Sequence, residues 1–474
     1  MAPEHVAGQA AAPYDVVIHS GRVIDPESGL DGVRTIGIRN GRIQVVTSRP
    51  LRGRTMVDAT GLVVAPGFIE LHAHAPDSIN YRYFAHDGVT TVLDLEGGVF
   101  PVGAWYAARA GGALLNYGAA VGHRDARVTL LQGAAAVNSP STVGDTAAPW
   151  TRQPLDASQM SSLVSLIERG LEEGGIGVGS ILQQMPGATH EEYLRVLDAV
   201  ARHGATAFVH LRFQGEESPA ALQEVIADVA MTHGSAHVVH LPSSGLRQTP
   251  LLLDMIRRAR AHGFDITSEA YPYPAIYQRL ASAMFDAGWE QRLGISYGDI
   301  LWPPTGERLT AATFANYRGN GGPQAAVIFA IPDSIVAVAV ADPSVMVASD
   351  AGVVAPGRSH PRSAGTRARV LGLYVRERRA LSLTDAISKM TLLPARRLER
   401  SVPQMRNKGR IRAGADADIT IFDAARVIDR ATYDNPAQYS DGIVHVLVNG
   451  TFVVRDGTLV DGVTPGRAIR RQIR

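Results

Sequence analysis

The chain has 474 residues, of which 45% are hydrophobic and 19% charged, with a formal net charge of +1. That length allows a large core and two domains, and the near-neutral charge excludes a strong pull toward nucleic acid or an anionic membrane. There is no cysteine, which excludes disulfides and thiolate metal ligands, and no apolar run approaches the roughly 20 residues that span a bilayer.

Residues 1–13 are Ala-rich and have no basic stretch followed by an apolar one. They read as a frayed tail, and the protein is expected in the cytoplasm. Residues 14–65 read as short β-segments, with Asn40-Gly41 as a hairpin turn. Strand-like segments return near 418–422 and 444–448, with a second Asn449-Gly450 turn. Neither end offers a convincing core of its own, so the two are expected to pair into one small β-sandwich of residues 1–65 and 405–474.

Between them, residues 66–404 alternate apolar strand-like runs with helix-like segments at 190–203, 219–233, 249–262 and from 382 onward. Such alternation predicts a parallel sheet with helical crossovers, and the length suits a (β/α)8 barrel. Residues 280–340 are less regular and read as a lid-like insertion at the barrel mouth. His203, His233 and His262 each precede a glycine at a helix end. They are expected to complement the helix C-terminal dipole, with the glycine as the left-handed cap.

The residues with chemical potential close the strand-like runs. After the apolar residues 62–65 come Pro66-Gly67-Phe68-Ile69-Glu70-Leu71-His72-Ala73-His74. On a strand, residues i and i+2 share a side, so His72 and His74 can face one point. Asp94 and Glu96 share a face on the next run, His210 and His240 close two later ones, and Asp350 follows a last. Singly, each has a plainer reading, as a packed histidine or a helix cap. Together, at the C-terminal ends of successive barrel strands, they describe a site for zinc or a similar divalent ion.

The order of these motifs resembles the amidohydrolase superfamily, and within it the D-aminoacylase (N-acyl-D-amino-acid deacylase) family. The similarity runs from about Tyr14 to about Val454. Beyond the His72–His74 run it rests on Gly88-Val89-Thr90-Thr91-Val92, His210-Leu211-Arg212, Glu269-Ala270-Tyr271-Pro272-Tyr273, Ser349-Asp350, His360-Pro361-Arg362 and Pro394-Ala395-Arg396-Arg397. The resemblance implies a metal-dependent hydrolase that cleaves N-acyl amino acids, of the D series, to a carboxylate and a free amino acid. It implies that His72 and His74 hold a more exposed ion and His210 and His240 a tighter one. Asp350 is then the acid/base and touches the exposed ion, Arg362 pairs with the substrate α-carboxylate, and Tyr273 orients the substrate.

Two positions depart from the family pattern. The family places a cysteine ligand after the Gly-Val-Thr-Thr strand; here Glu96 lies within one position of it and offers oxygen instead. Zinc, as one or two ions, is the expected metal, and the harder ligand brings manganese into consideration. The family lysine two residues beyond the ligand matching His240 is Pro242, followed by Ser243 and Ser244, which removes one substrate-binding charge. The competing expectations are a cyclic amide or imide hydrolase or a dipeptidase on the same fold, and a non-catalytic binding barrel.

Overall fold

The structure is a computed structural model that describes residues 14–74, 77–137, 148–322, 324–352, 354 and 357–473; the expected N-terminal tail lies outside them. Its centre is an eight-stranded parallel sheet. The strands are β1 (Phe68–Glu70), β2 (Val89–Val99), β3 (Asn116–Gly122), β4 (Val178–Ile181), β5 (Ala207–His210), β6 (Ser235–Val238), β7 (Asp265–Ala270) and β8 (Val345–Val347), each paired with the next. The ring closes just beyond β1 and β8, where Ala73 bridges Ala351 in parallel. There the His74 N–H donates to Ala351 O (2.8 Å) and the Ala351 N–H to His72 O (3.1 Å). Helices cover the outside, so the strands are buried on both faces and read as apolar runs rather than alternating ones.

The crossover helices follow from their sequences. His190–Arg202 is capped by the Thr189 hydroxyl, which accepts from Glu192 N–H. It buries Tyr193, Val196, Leu197 and Val200 along one stripe. Ser218–Thr232 and Thr249–Ala261 each carry a proline in the first turn, where no backbone donor is lost. The expected glycine cap holds at Gly204 (φ +59°) and Gly263 (φ +87°). At the third helix His233 itself takes the left-handed conformation (φ 52°), so the cap is the histidine and not Gly234.

Both chain ends build one nine-stranded sheet. Its joint is Val63–Pro66, which pairs in parallel with Tyr14–Asp25 and antiparallel with Ile419–Phe422. Both Asn-Gly turns have two positive φ angles, 53° and 73° at Asn40-Gly41 and 48° and 79° at Asn449-Gly450, as tight hairpins require. Side chains from both ends, including Val16, Ile18, Ile36, Ile419, Ile421 and Leu447, share one core. The joint strand leads straight into β1, and Gly67 N–H donates to Asp418 O (2.8 Å), so this sheet fixes where the first barrel strand starts.

The irregular stretch between β7 and β8 is more ordered than its sequence suggests. It holds a four-stranded sheet (Ile276–Arg279, Ile300–Trp302, Glu307–Arg308, Ala325–Ile328) around an aromatic core of Phe285, Trp289, Trp302 and Phe314. The element begins before residue 280, and Asp333–Ala341 is the crossover helix into β8 rather than part of it. Among the described residues no helix is long and apolar enough to cross a membrane.

Candidate metal centre

Glu96 owes its position to an irregularity in β2. The register with β3 pairs Asp94 with Ala119 and next pairs Val99 with Val121, a bulge that re-aims the side chains within it. Gly98 makes it possible: its φ is +64°, and a Cβ there would lie 2.6 Å from Gly122 N. The Asp94 carboxylate accepts the Gly98 N–H (3.0 Å) and so caps the bulge. Glu96 is left to enter the barrel centre. His240 (φ 31°) and Asp350 (φ 53°) both sit in the left-handed region just past their strands, strain of the kind that clusters at functional sites.

The six residues form two groups that share Glu96. Glu96 Oε2 lies 3.1 Å from His72 Nε2 and 3.2 Å from His74 Nε2. Asp350 Oδ1 completes that group at 3.1 Å from His74 Nε2 and 3.4 Å from His72 Nε2, and the two Nε2 atoms are 3.3 Å apart. Glu96 Oε1 faces the other way, 2.9 Å from both His210 Nδ1 and His240 Nε2, which are 3.1 Å from each other. Tetrahedral zinc with bonds of about 2.0–2.1 Å sets its ligand atoms about 3.3 Å apart. Five spacings within the first group, 3.1–3.4 Å, lie close to that value, and the second supplies a three-atom face. The resemblance expects the firmer ion at His210 and His240. That half is the more buried, with side chains 7% and 3% exposed against 34% at His74, but it offers three donors where the other half offers four.

The electrostatics agree with a cation site. Burial opposes a charge on Glu96, yet His72, His210 and His240 hold its carboxyl well below the usual range. Burial likewise opposes charge on Asp350, and Arg362 and His72 outweigh it and hold that carboxyl low. In turn Glu96, Asp350 and Glu269 raise His72 well above its ordinary value against the burial, and Asp350 and Glu96 raise His74 to about 9. The potential that holds protons on these imidazoles also favours a divalent ion. His72 turns its Nδ1 to Glu269 Oε1 (2.6 Å) and so presents its Nε2 to the carboxylates at the centre. A cation between them satisfies every one of these atoms.

Sequence reasoning missed the residues that brace the ligands. Glu269 accepts from His72 through Oε1 and lies 3.0 Å from His237 Nε2 through Oε2, and His237 Nδ1 reaches Thr267 Oγ1 (2.7 Å). Glu70 accepts the His72 N–H (2.7 Å) and pairs with buried Arg367 (2.6 Å), and the Ser349 N–H also donates to it, which ties β1 to β8. Both glutamates stand inside quoted motifs, and a carboxylate within an apolar strand was the available signal. Glu269→Gln is expected to weaken metal affinity about 10–100-fold, the usual cost of losing such a partner. Competition against a chelator measures it, and unchanged affinity would make Glu269 a packing residue only.

A cavity of about 700 Å³ opens over the centre, lined by Glu96, His210, His240, Asp350 and Arg362 and roofed on one side by Ile276, Tyr277 and Met284. Arg362 is buried, with Nη1 2.7 Å from Asp350 Oδ2 and its guanidinium 5.0 Å from the Tyr271 ring. Tyr273 does not line this cavity. Its hydroxyl turns to Asp429 (3.5 Å) and its ring lies under Arg369 (4.8 Å). Tyr271, two residues earlier, is the tyrosine whose ring approaches the Arg362 guanidinium. Ser243, one residue beyond Pro242, lines the cavity where the family pattern leads toward a lysine.

The model of the amidohydrolase family matches residues 55–454. The chain belongs to the amidohydrolase family. An N-acyl-D-glutamate deacylase of Alcaligenes xylosoxydans xylosoxydans is 31% identical over 96% of both chains, and a D-aminoacylase of the same organism is 29% identical over 97% of this chain and 98% of its own. Among solved structures, the N-acyl-D-glutamate deacylase of Bordetella bronchiseptica, complexed with zinc and a phosphonate mimic of the tetrahedral intermediate, superposes with a TM-score of 0.81. It is 27% identical, covering 97% of this chain and 100% of that one. A D-aminoacylase structure gives 0.78 at 26% identity with the same coverage. A D-hydantoinase, at 16% identity and a TM-score of 0.62, shares the fold.

Proposed function

We propose that this amidohydrolase is a metal-dependent deacylase of N-acyl-D-amino acids. The observation that carries the reading is the forked Glu96 carboxylate joining two donor groups on the floor of a cavity that also holds Arg362. The deacylase relatives, alike over nearly their whole lengths, support the substrate class. His72, His74, Glu96 and Asp350 would hold one divalent ion and Glu96, His210 and His240 a second; zinc is proposed, with manganese as the competitor. The bound metal supplies Lewis-acid activation of a water and of the scissile carbonyl.

The chain's own residues do the rest. Arg362 binds the α-carboxylate through its guanidinium fork and so places the amide carbon at the centre. Asp350 takes a proton from the attacking water as the C–O bond forms, and returns it to the nitrogen as the C–N bond breaks. Tyr271, beside Arg362, steadies that arginine. With Pro242 in place of the family lysine, carboxylate recognition leans more heavily on Arg362.

The test is turnover of N-acetyl-D- and N-acetyl-L-amino acids by protein loaded with zinc or manganese, with elemental analysis of the same samples. D-selective hydrolysis that a chelator abolishes is expected. Turnover confined to hydantoins or β-aspartyl dipeptides would replace this reading with a cyclic-amide or dipeptide hydrolase.

A further inference from the structure

The barrel face opposite the metal centre holds a second cavity, of about 330 Å³. It lies where β5, β6 and β7 begin, at Thr206, Ser235 and Asp265, beneath the helix Leu392–Leu398. The Arg396-Arg397 pair of the sequence motif lines it together with Arg400, against one carboxylate, Asp265. Arg397 explains part of this by structure alone. Its terminal nitrogens bond Asp265, Thr206, Ser235 and the Ala236 carbonyl, so it clamps three strand starts. Its side chain is only 4% exposed, and its buried Nε has no hydrogen-bond partner.

The other two arginines have no such account. Arg400 forms no hydrogen bond or ion pair with a described residue, and Arg396 makes only a long, exposed ion pair with Glu27, at 4.0 Å. Helix C-termini do not employ them either: the caps at Gly204 and Gly263 take carbonyls of their own last turns, each at 2.9 Å. Three guanidinium groups against one carboxylate leave the cavity cationic. Glycines and an alanine from the adjoining loops, Gly204, Ala205, Gly234 and Gly263, keep its wall low. The planar fork of arginine matches a phosphoryl oxyanion better than it matches a simple halide.

We propose that this cavity binds a phosphoryl oxyanion, free or carried by a small metabolite, between the exposed guanidinium groups of Arg396 and Arg400, with Arg397 fixed beneath them. The test is calorimetric titration of the metal-loaded enzyme with inorganic phosphate and with glycerol phosphate at fixed ionic strength. Arg396→Gln/Arg400→Gln is the variant, because both side chains are exposed and neither belongs to the metal centre. Saturable binding that weakens at least tenfold in the variant, with deacylase kcat/KM unchanged in the absence of phosphate, is expected. Tighter binding of the ester assigns the site to a metabolite, and equal binding assigns it to phosphate itself. Absence of saturable binding overturns the proposal. So does wild-type affinity in the variant, or binding that competes fully with substrate and therefore lies at the metal centre.

Discussion

Replacing Asp350 with Asn is expected to lower kcat by about 10²–10⁴-fold, the range that a positioned general acid–base group contributes, with metal content close to that of the parent. One carboxylate oxygen, Oδ1, faces His74 and His72 at 3.1 and 3.4 Å, and the other, Oδ2, faces Arg362 at 2.7 Å. The residue therefore stands between the ion group and the cation proposed to hold the substrate, where a proton must pass from water to the leaving nitrogen. Asparagine preserves the shape and an oxygen that can face the imidazoles, but it cannot take up the proton. Three donors of the first group, His72, His74 and Glu96, remain in place. Steady-state kinetics and elemental analysis on the same preparation decide between roles. Lost turnover with retained metal supports proton transfer, lost metal makes Asp350 a ligand first, and full turnover removes it from the chemistry.

The legible part of this molecule is the part governed by local periodicity. His72, His74, His210, His240 and Asp350 could be picked out because each closes an apolar run, and barrel strands deliver chemistry at their C-terminal ends. The two Asn-Gly turns and the crossover helices were legible for the same reason, since their signals lie within a few residues. What periodicity cannot do is choose between residues two apart. Asp94 and Glu96 share a face on paper, and Tyr271 and Tyr273 lie two apart in one motif. The first choice is made by a bulge set by contact with Gly122 on the neighbouring strand, and the second by Asp429 and Arg369 pulling Tyr273 away. Glu269 and His237 stayed hidden because their partners lie 197 and 32 residues from Glu269 in the chain, at His72 and His237. The insertion after β7 looked irregular because its order comes from aromatic packing rather than from an alternating pattern.

Glu96→Ala is expected to have the larger effect on metal. The two oxygens of Glu96 serve different groups, Oε2 the His72–His74 pair and Oε1 the His210–His240 pair. Its loss leaves three donors in one group and two in the other, and removes the carboxylate that balances the imidazoles of both. Metal stoichiometry should fall below one ion per chain, and kcat/KM by more than the roughly 10–100-fold that follows loss of an outer partner. Glu96→Asp separates bridging from simple charge. Its side chain is shorter by one carbon–carbon bond, about 1.5 Å, so it keeps the charge but reaches one group better than the other. One retained ion is the expected result. Asp94→Asn is the control, because Asp94 caps the Gly98 N–H and belongs to neither donor group. It should loosen the bulge and lower thermal stability while metal content holds. If Glu96→Ala instead binds its full complement of metal and Asp94→Asn does not, the ligand on β2 is Asp94, and the forked arrangement does not hold the ions.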